Sequence, residues 1–136
     1  MRDSDHADVD DLIAAFFGAF DNRHGRIPDR SALARLFAGT AVIAMHVSGT
    51  CALLTPEEFI APRIALLGSG ALMDFHEWEE AEETRIIGSL ALRSSRYAKS
   101  GFRGGARIAG TGSKFFQLAK VSGEWKIVAL SWMDDA

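Results

Sequence analysis

Residues 106–134, ARIAGTGSKFFQLAKVSGEWKIVALSWMD, decide the fold. Two runs rich in β-branched, aromatic and other apolar residues, Ala106–Val121 and Glu124–Asp134, flank the dipeptide Ser122-Gly123. Two such runs joined by a two-residue glycine turn read as a β-hairpin. Further back, Leu72–Ala81 and Arg85–Lys99 have the same character, with Glu82-Glu83-Thr84 and Ser100 to Gly105 as their connections. The four runs predict an antiparallel meander. Glycines at 88, 104, 105, 110 and 112 would weaken flat strands, so they point to bends or bulges in a curved sheet.

The segment before the meander is helical. Val9, Leu12, Ile13, Phe16, Phe17 and Phe20 recur at three- and four-residue spacing and predict a helix over Asp8 to Phe20. Asp8, Asp10 and Asp11 then sit in its first turn, where negative charge suits the helix dipole. Asn22 to Asp29 reads as a loop, and Ser31 as the cap of a short second helix carrying Leu33, Leu36 and Phe37. Gly39 and Thr40 end that helix, and Ala41–Val47 is a strand. Thr55-Pro56-Glu57-Glu58 starts a third helix: a threonine cap, a proline at the first position and carboxylates in the first turn. That helix carries Phe59, Ile60, Ile64 and Leu67, is bent or delayed by Pro62, and ends at Gly68 to Gly70.

Three helices and one strand followed by a meander predict a single α+β domain over 1–136, with 1–7 as a flexible tail. The expected shape is a cone-shaped half-barrel, its helices packed on the concave face of a curved antiparallel sheet. The hollow of such a cone is a natural small-molecule site. Composition narrows the classes further. With 48% hydrophobic and 24% charged residues the chain is ordinary globular protein, neither disordered nor built to span a membrane. A net charge of -3 gives no electrostatic reason to expect nucleic acid. The lone cysteine, Cys51, excludes an intrachain disulfide and a cysteine-built zinc site. No signal peptide is visible at the acidic start, so a cytoplasmic protein is expected. No cofactor and no metal are expected.

Three segments carry a resemblance to a known superfamily: Leu36-Phe37-Ala38-Gly39-Thr40-Ala41-Val42, Gly112-Ser113-Lys114-Phe115-Phe116-Gln117-Leu118, and Gly123-Glu124-Trp125-Lys126-Ile127-Val128 continuing to Ser131-Trp132-Met133-Asp134-Asp135. With the order of helices and strands, they resemble the nuclear-transport-factor-2-like superfamily. That group includes ketosteroid isomerases and SnoaL-like polyketide cyclases. The resemblance implies the cone fold, and a homodimer formed through the outer face of the sheet. It does not fix an activity, because unrelated chemistries share the fold. The isomerases' tyrosine falls at Phe16, their aspartate base at Met45 or its neighbour His46, and their second aspartate near Ser113. Only His46 has a side chain suited to proton transfer, so their known mechanism is not expected.

His46, at the end of an apolar strand, is therefore the leading catalytic candidate, weighed against a backbone-bonded structural histidine. Tyr97, the sole tyrosine, is the second, as the only phenol able to donate or titrate. Alternation sets Asp74, His76, Trp78 and Glu80 on one face of their strand, opposite Met73, Phe75, Glu77 and Glu79. It sets Arg93, Ser95 and Tyr97 together on the next strand. On the last strand it divides Trp125, Ile127, Ala129 and Ser131 from Lys126, Val128, Leu130 and Trp132; both faces are apolar enough to be covered. Phe16, Phe20, His46, His76, Trp78, Arg93, Tyr97, Phe116 and Trp132 are the expected pocket lining. The acidic run from Glu77 to Glu83 reads as a solvated hairpin, and Gly101 to Arg107 as a flexible connection with no phosphate-loop pattern. Three functions stay open. One is a small-molecule pocket of unspecified activity. Another is an acid–base enzyme of isomerase, cyclase or dehydratase type on an apolar, ring-containing substrate. The last is a non-enzymatic binding or dimerisation module.

Overall fold

The apolar stripe near the amino terminus does fold as a helix, α1, and buries Val9, Leu12, Ile13, Phe16 and Phe17. A computed structural model describes residues 4–136. In it α1 runs from Ser4 to Gly18, so residues 4–7 are helical where a tail was expected; residues 1–3 lie outside the described residues. Asp5 in the first turn accepts hydrogen bonds from Lys120 (2.9 Å) and Trp125 (3.1 Å), which docks the early start of the helix on the sheet. The second helix, α2 (Arg30–Ala34), is capped by Asp29 rather than Ser31: the carboxylate accepts from the Ser31 and Ala32 backbone N–H groups. It ends before Phe37, which starts β1 (Phe37–Val47). The third helix, α3 (Pro56–Gly68), begins at the expected capping box, with Glu58 and Thr55 exchanging hydrogen bonds.

The sheet holds six strands: β1, β2 (Thr50–Leu54), β3 (Leu72–Ile87), β4 (Leu90–Arg103), β5 (Ala106–Val121) and β6 (Glu124–Asp134). Their order is β2-β1-β6-β5-β4-β3, antiparallel throughout except where β1 runs parallel to β6. β2 escaped the sequence reading; it folds back on β1 through a two-residue turn, Ser48-Gly49. The β3–β4 turn lies at Gly88 and Ser89, not at residues 82–84. The acidic run stays in the strand because β4 supplies its counter-charge: Glu79 and Glu82 flank the buried Arg93.

Three extra residues set which side chains face the hollow. Asp74 and Phe75 together oppose Gly101, Glu80 is extra opposite Tyr97 and Arg96, and Val128 is extra opposite Gln117 and Leu118. A Cβ on Gly101 would lie 3.1 Å from the Phe75 backbone, so glycine permits the first bulge. The bulge at Val128 overturns the simple alternation of β6. Trp125, Ile127 and Leu130 are all buried, and Trp132 packs against the same core. Ala129, Ser131 and Met133 turn outward with Val42 and Phe115. Both helix faces meet at Phe16, edge-on to Phe116 at 5.1 Å and stacked on Phe59 at 6.5 Å.

Asn22 closes the loop after α1. Its Nδ2 donates to the carbonyls of Leu67 (3.0 Å) and Leu72 (2.7 Å), and its Oδ1 accepts from the Phe75 backbone N–H (2.7 Å). One side chain thus ties α1, the end of α3 and the start of β3 together. Asn22→Ala leaves three part-buried backbone groups without that partner, so urea unfolding should show a loss of about 2–4 kcal/mol. A loss under about 0.5 kcal/mol would mean that water replaces the amide at no cost.

Candidate functional site

Between α1, α3 and the concave side of the sheet lies a cavity of about 350 Å³. Aromatic and aliphatic walls come from Phe16, Phe20, Phe59, Leu66, Phe75 and Trp132, among others. Six charged side chains also reach it: Arg63, Glu77, Lys99, Arg103, Lys114 and Asp134.

Lys114 stands at the centre of this group. Gly112, Lys114, Phe116 and Leu118 share the inward face of β5, so the ammonium is carried into the core by the same alternation that buries its neighbours. Its side chain is 7% exposed, and Nζ lies 3.2 Å from Glu77 Oε1, a charge contact without an aligned hydrogen bond. The same Nζ sits 3.9 Å from the centre of the Tyr97 ring and 5.1 Å from that of Trp132. Burial pushes the Lys114 pKa below the ordinary lysine value, although the Glu77 charge pulls it back.

Behind Lys114 a second set runs toward the rim. The Tyr97 hydroxyl donates a short hydrogen bond to Asp134 Oδ1, and Lys99 Nζ donates to Asp134 Oδ2 at 2.8 Å. Burial raises the Tyr97 pKa far above that of a free phenol, and the Asp134 hydrogen bond and charge raise it further. Burial also works to raise the Asp134 carboxyl, but the hydrogen bonds from Lys99 and Tyr97 outweigh it and hold the group below the usual range. Tyr97 reaches Asp134 by lying across Gly112, where a Cβ would stand 2.6 Å from both the phenol Cζ and the Met133 carbonyl oxygen. Arg63, on α3, stacks 4.3 Å from the centre of the Phe59 ring and 5.1 Å from that of Trp132. Its Nη1 donates to the Phe59 carbonyl at 3.2 Å, and burial lowers its pKa.

The expected pocket residues divide. Phe16, Phe20 and Trp132 line the cavity, and Tyr97 lies directly beneath Lys114. Phe116 is in the aromatic core next to Phe16, not on the wall. His46 is exposed near the end of β1, opposite Cys51, and does not line the cavity. His76 and Trp78 stack on each other at 4.5 Å in a shallow groove on the far side of β3 and β4, because the inward face of β3 is the one holding Phe75 and Glu77. Arg93 is buried in a separate cluster. It donates to Asp10 and Glu79 at 2.6 Å each, and Ser95 donates to Glu79, so this cluster fastens α1 to β3 and β4. Among the described residues, no three His, Cys, Asp or Glu side chains converge as metal ligands.

No family model matches the sequence, and no curated protein matches it. Solved structures do. An NTF-2 like protein of unknown function from Silicibacter pomeroyi superposes with a TM-score of 0.66 at 20% identity, over 99% of this chain and 100% of that one. The hexachlorocyclohexane dehydrochlorinase LinA-type3 from Novosphingobium barchaimii gives 0.75 at 15% identity, over 98% and 88%. A candidate calcium/calmodulin-dependent kinase II association domain from Exiguobacterium sibiricum gives 0.76 at 10% identity, over 100% and 97%. The chain therefore has the nuclear-transport-factor-2-like fold, as its sequence resemblance implied.

Tyr97 is the only tyrosine, so its ionisation can be followed by phenolate absorbance without overlap. Its raised pKa stabilises the fold fully below about pH 10, the value of an unfolded tyrosine, and that contribution is lost as pH rises further. In an alkaline titration the phenolate signal should appear only together with unfolding. Ionisation near pH 10 in the folded chain, reported by unchanged circular dichroism, would contradict this geometry.

Proposed function

We propose that this chain is a small-molecule-binding domain whose cavity is equipped for proton transfer on an apolar, ring-containing ligand. One observation carries the reading: Lys114 is buried at the wall of an aromatic cavity, with Glu77 as its only carboxylate contact within 4 Å among the described residues. Burial lowers the Lys114 pKa, which makes the neutral amine, the proton-accepting form, easier to reach than for a solvated lysine, and the adjacent carboxylate stabilises the ammonium formed. Tyr97, kept protonated, holds Asp134 and carries Lys114 on its ring face; it positions the amine rather than titrating itself. The similarity to a dehydrochlorinase is compatible with an elimination, and supports proton abstraction without fixing a substrate. His46 has no place in this mechanism.

The test uses the linkage between titration and stability. Between the lowered folded value of Lys114 and the ordinary ~10.4, the unfolded chain binds more protons, so stability should rise with pH across that window. Lys114→Met should flatten the rise in urea-unfolding free energy. Equal slopes for both proteins would show that Lys114 titrates normally, and would remove it as the base.

A second reading concerns the outer face of the sheet, where Val42, Leu92, Phe115 and Met133 are each about half exposed. Register places Val42, Ala129, Gln117 and Leu92 in one row across four strands, with Ala44, Ser131, Phe115 and Ser94 in the next. This apolar field suits a second copy of the chain, and the similarity to a candidate association domain supports self-assembly. Sedimentation should show a dimer that Phe115→Glu converts to monomer; a wild-type monomer at the same concentration would exclude this pairing.

A further inference from the structure

We infer that the cavity selects organic anions: its preferred ligands carry a carboxylate on an apolar ring system, with the carboxylate paired to Arg63 and the ring held among Phe16, Phe20, Phe59 and Trp132. This inference rests on the pocket reading above.

Charge balance carries the argument. The chain is acidic overall, at -3, yet four cations and only two carboxylates line the cavity. The carboxylates are engaged: Glu77 faces Lys114 at 3.2 Å and Asp134 faces Lys99 at 2.8 Å. Arg63 and Arg103 remain, and neither has a carboxylate within 4 Å among the described residues. The balance stays positive even when Lys114 is neutral. Arg63 feels the Glu77 and Asp134 charges only from beyond ion-pair distance, and burial still outweighs them; a guanidinium so weakly compensated is costly, and an anionic ligand reduces that cost.

Arg63 is also pre-oriented. The Phe59 and Trp132 rings hold its guanidinium between them, while its hydrogen bonds occupy Nη1 with a carbonyl and Nη2 only with the weakly accepting Met45 sulfur. Donors remain for the two oxygens of a carboxylate, the planar partner that a guanidinium pairs best. Arg103 is exposed at the rim, where it attracts an anion without being desolvated. Size limits the ring. An engineered cavity of about 150 Å³ holds benzene, so about 350 Å³ admits one or two fused rings with a carboxylate.

The experiment is calorimetric titration with naphthalene-2-carboxylate, its neutral amide and acetate, on the wild-type chain and on Arg63→Gln and Arg103→Gln. The wild type should bind the carboxylate at least about tenfold more tightly than the amide, and acetate weakly, since charge without a ring forgoes the aromatic wall. Arg63→Gln should abolish the preference while leaving amide affinity unchanged. Arg103→Gln, at an exposed position that leaves folding intact, should reduce it in a salt-dependent way. Equal binding of carboxylate and amide by the wild type would overturn anion selectivity and leave the pocket standing. A preference that survives both substitutions would also overturn it. Binding of neither aromatic probe would overturn the pocket itself.

Discussion

An ammonium group withdrawn from water loses several kcal/mol of hydration, which its new surroundings must replace. Lys114 meets that constraint from three directions: the Glu77 carboxylate, the face of Tyr97 and the ring of Trp132. Each contact imposes its own demand. Glu77 must point inward from β3, which places His76 and Trp78 outside. Tyr97 must lie flat across β5, which requires a residue without a side chain at Gly112. Trp132 must face the helices, which the extra residue at Val128 makes possible. The electrostatic need of one side chain is thus written into the register of four strands.

The apolar patterns were legible because burial repeats with a period. The stripe of α1, the capping box of α3 and the hairpin at Ser122-Gly123 all follow from residue type and spacing, and the structure keeps them. The faces of β3 and β6 were not legible, because one inserted residue reverses every later assignment and leaves little trace in composition. Trp132 was expected to lie opposite Trp125, and the bulge puts both on the core side. Glu77 and Lys114 were missed for another reason. Glu77 was read as part of a solvated hairpin, and Lys114 entered only as a member of a resemblance segment, because charged residues in strands are mostly solvated. For Lys114 a signal was present, since period two aligns it with Phe116 and Leu118 on the buried face. Arg63 and Arg103 reach the cavity through tertiary packing, which no local pattern encodes. His46 drew attention by its chemistry and its place at the end of an apolar strand, but that end of β1 lies exposed outside the cavity.

The two sides of the sheet divide the work. The concave side concentrates charge within an apolar wall, where each Coulombic interaction counts for more than it does in water. The convex side is nearly free of charge along the rows that Val42 and Ala44 begin across β1, β6, β5 and β4. The Arg93 cluster belongs to neither role. It anchors α1 to β3 and β4 through Asp10 and Glu79.

The sheet order carries one further consequence. β6 comes last in the chain but third in the sheet, between β1 and β5. Until residues 124–134 have been synthesised, the hairpin of β1 and β2 has no neighbour to join, and the edge of β5 stays unpaired. Helices and partial sheet can gather early during translation, but the halves remain separate pieces. Closure is a late, long-range event, and the nascent chain meanwhile exposes apolar strand edges of the kind that chaperones shield.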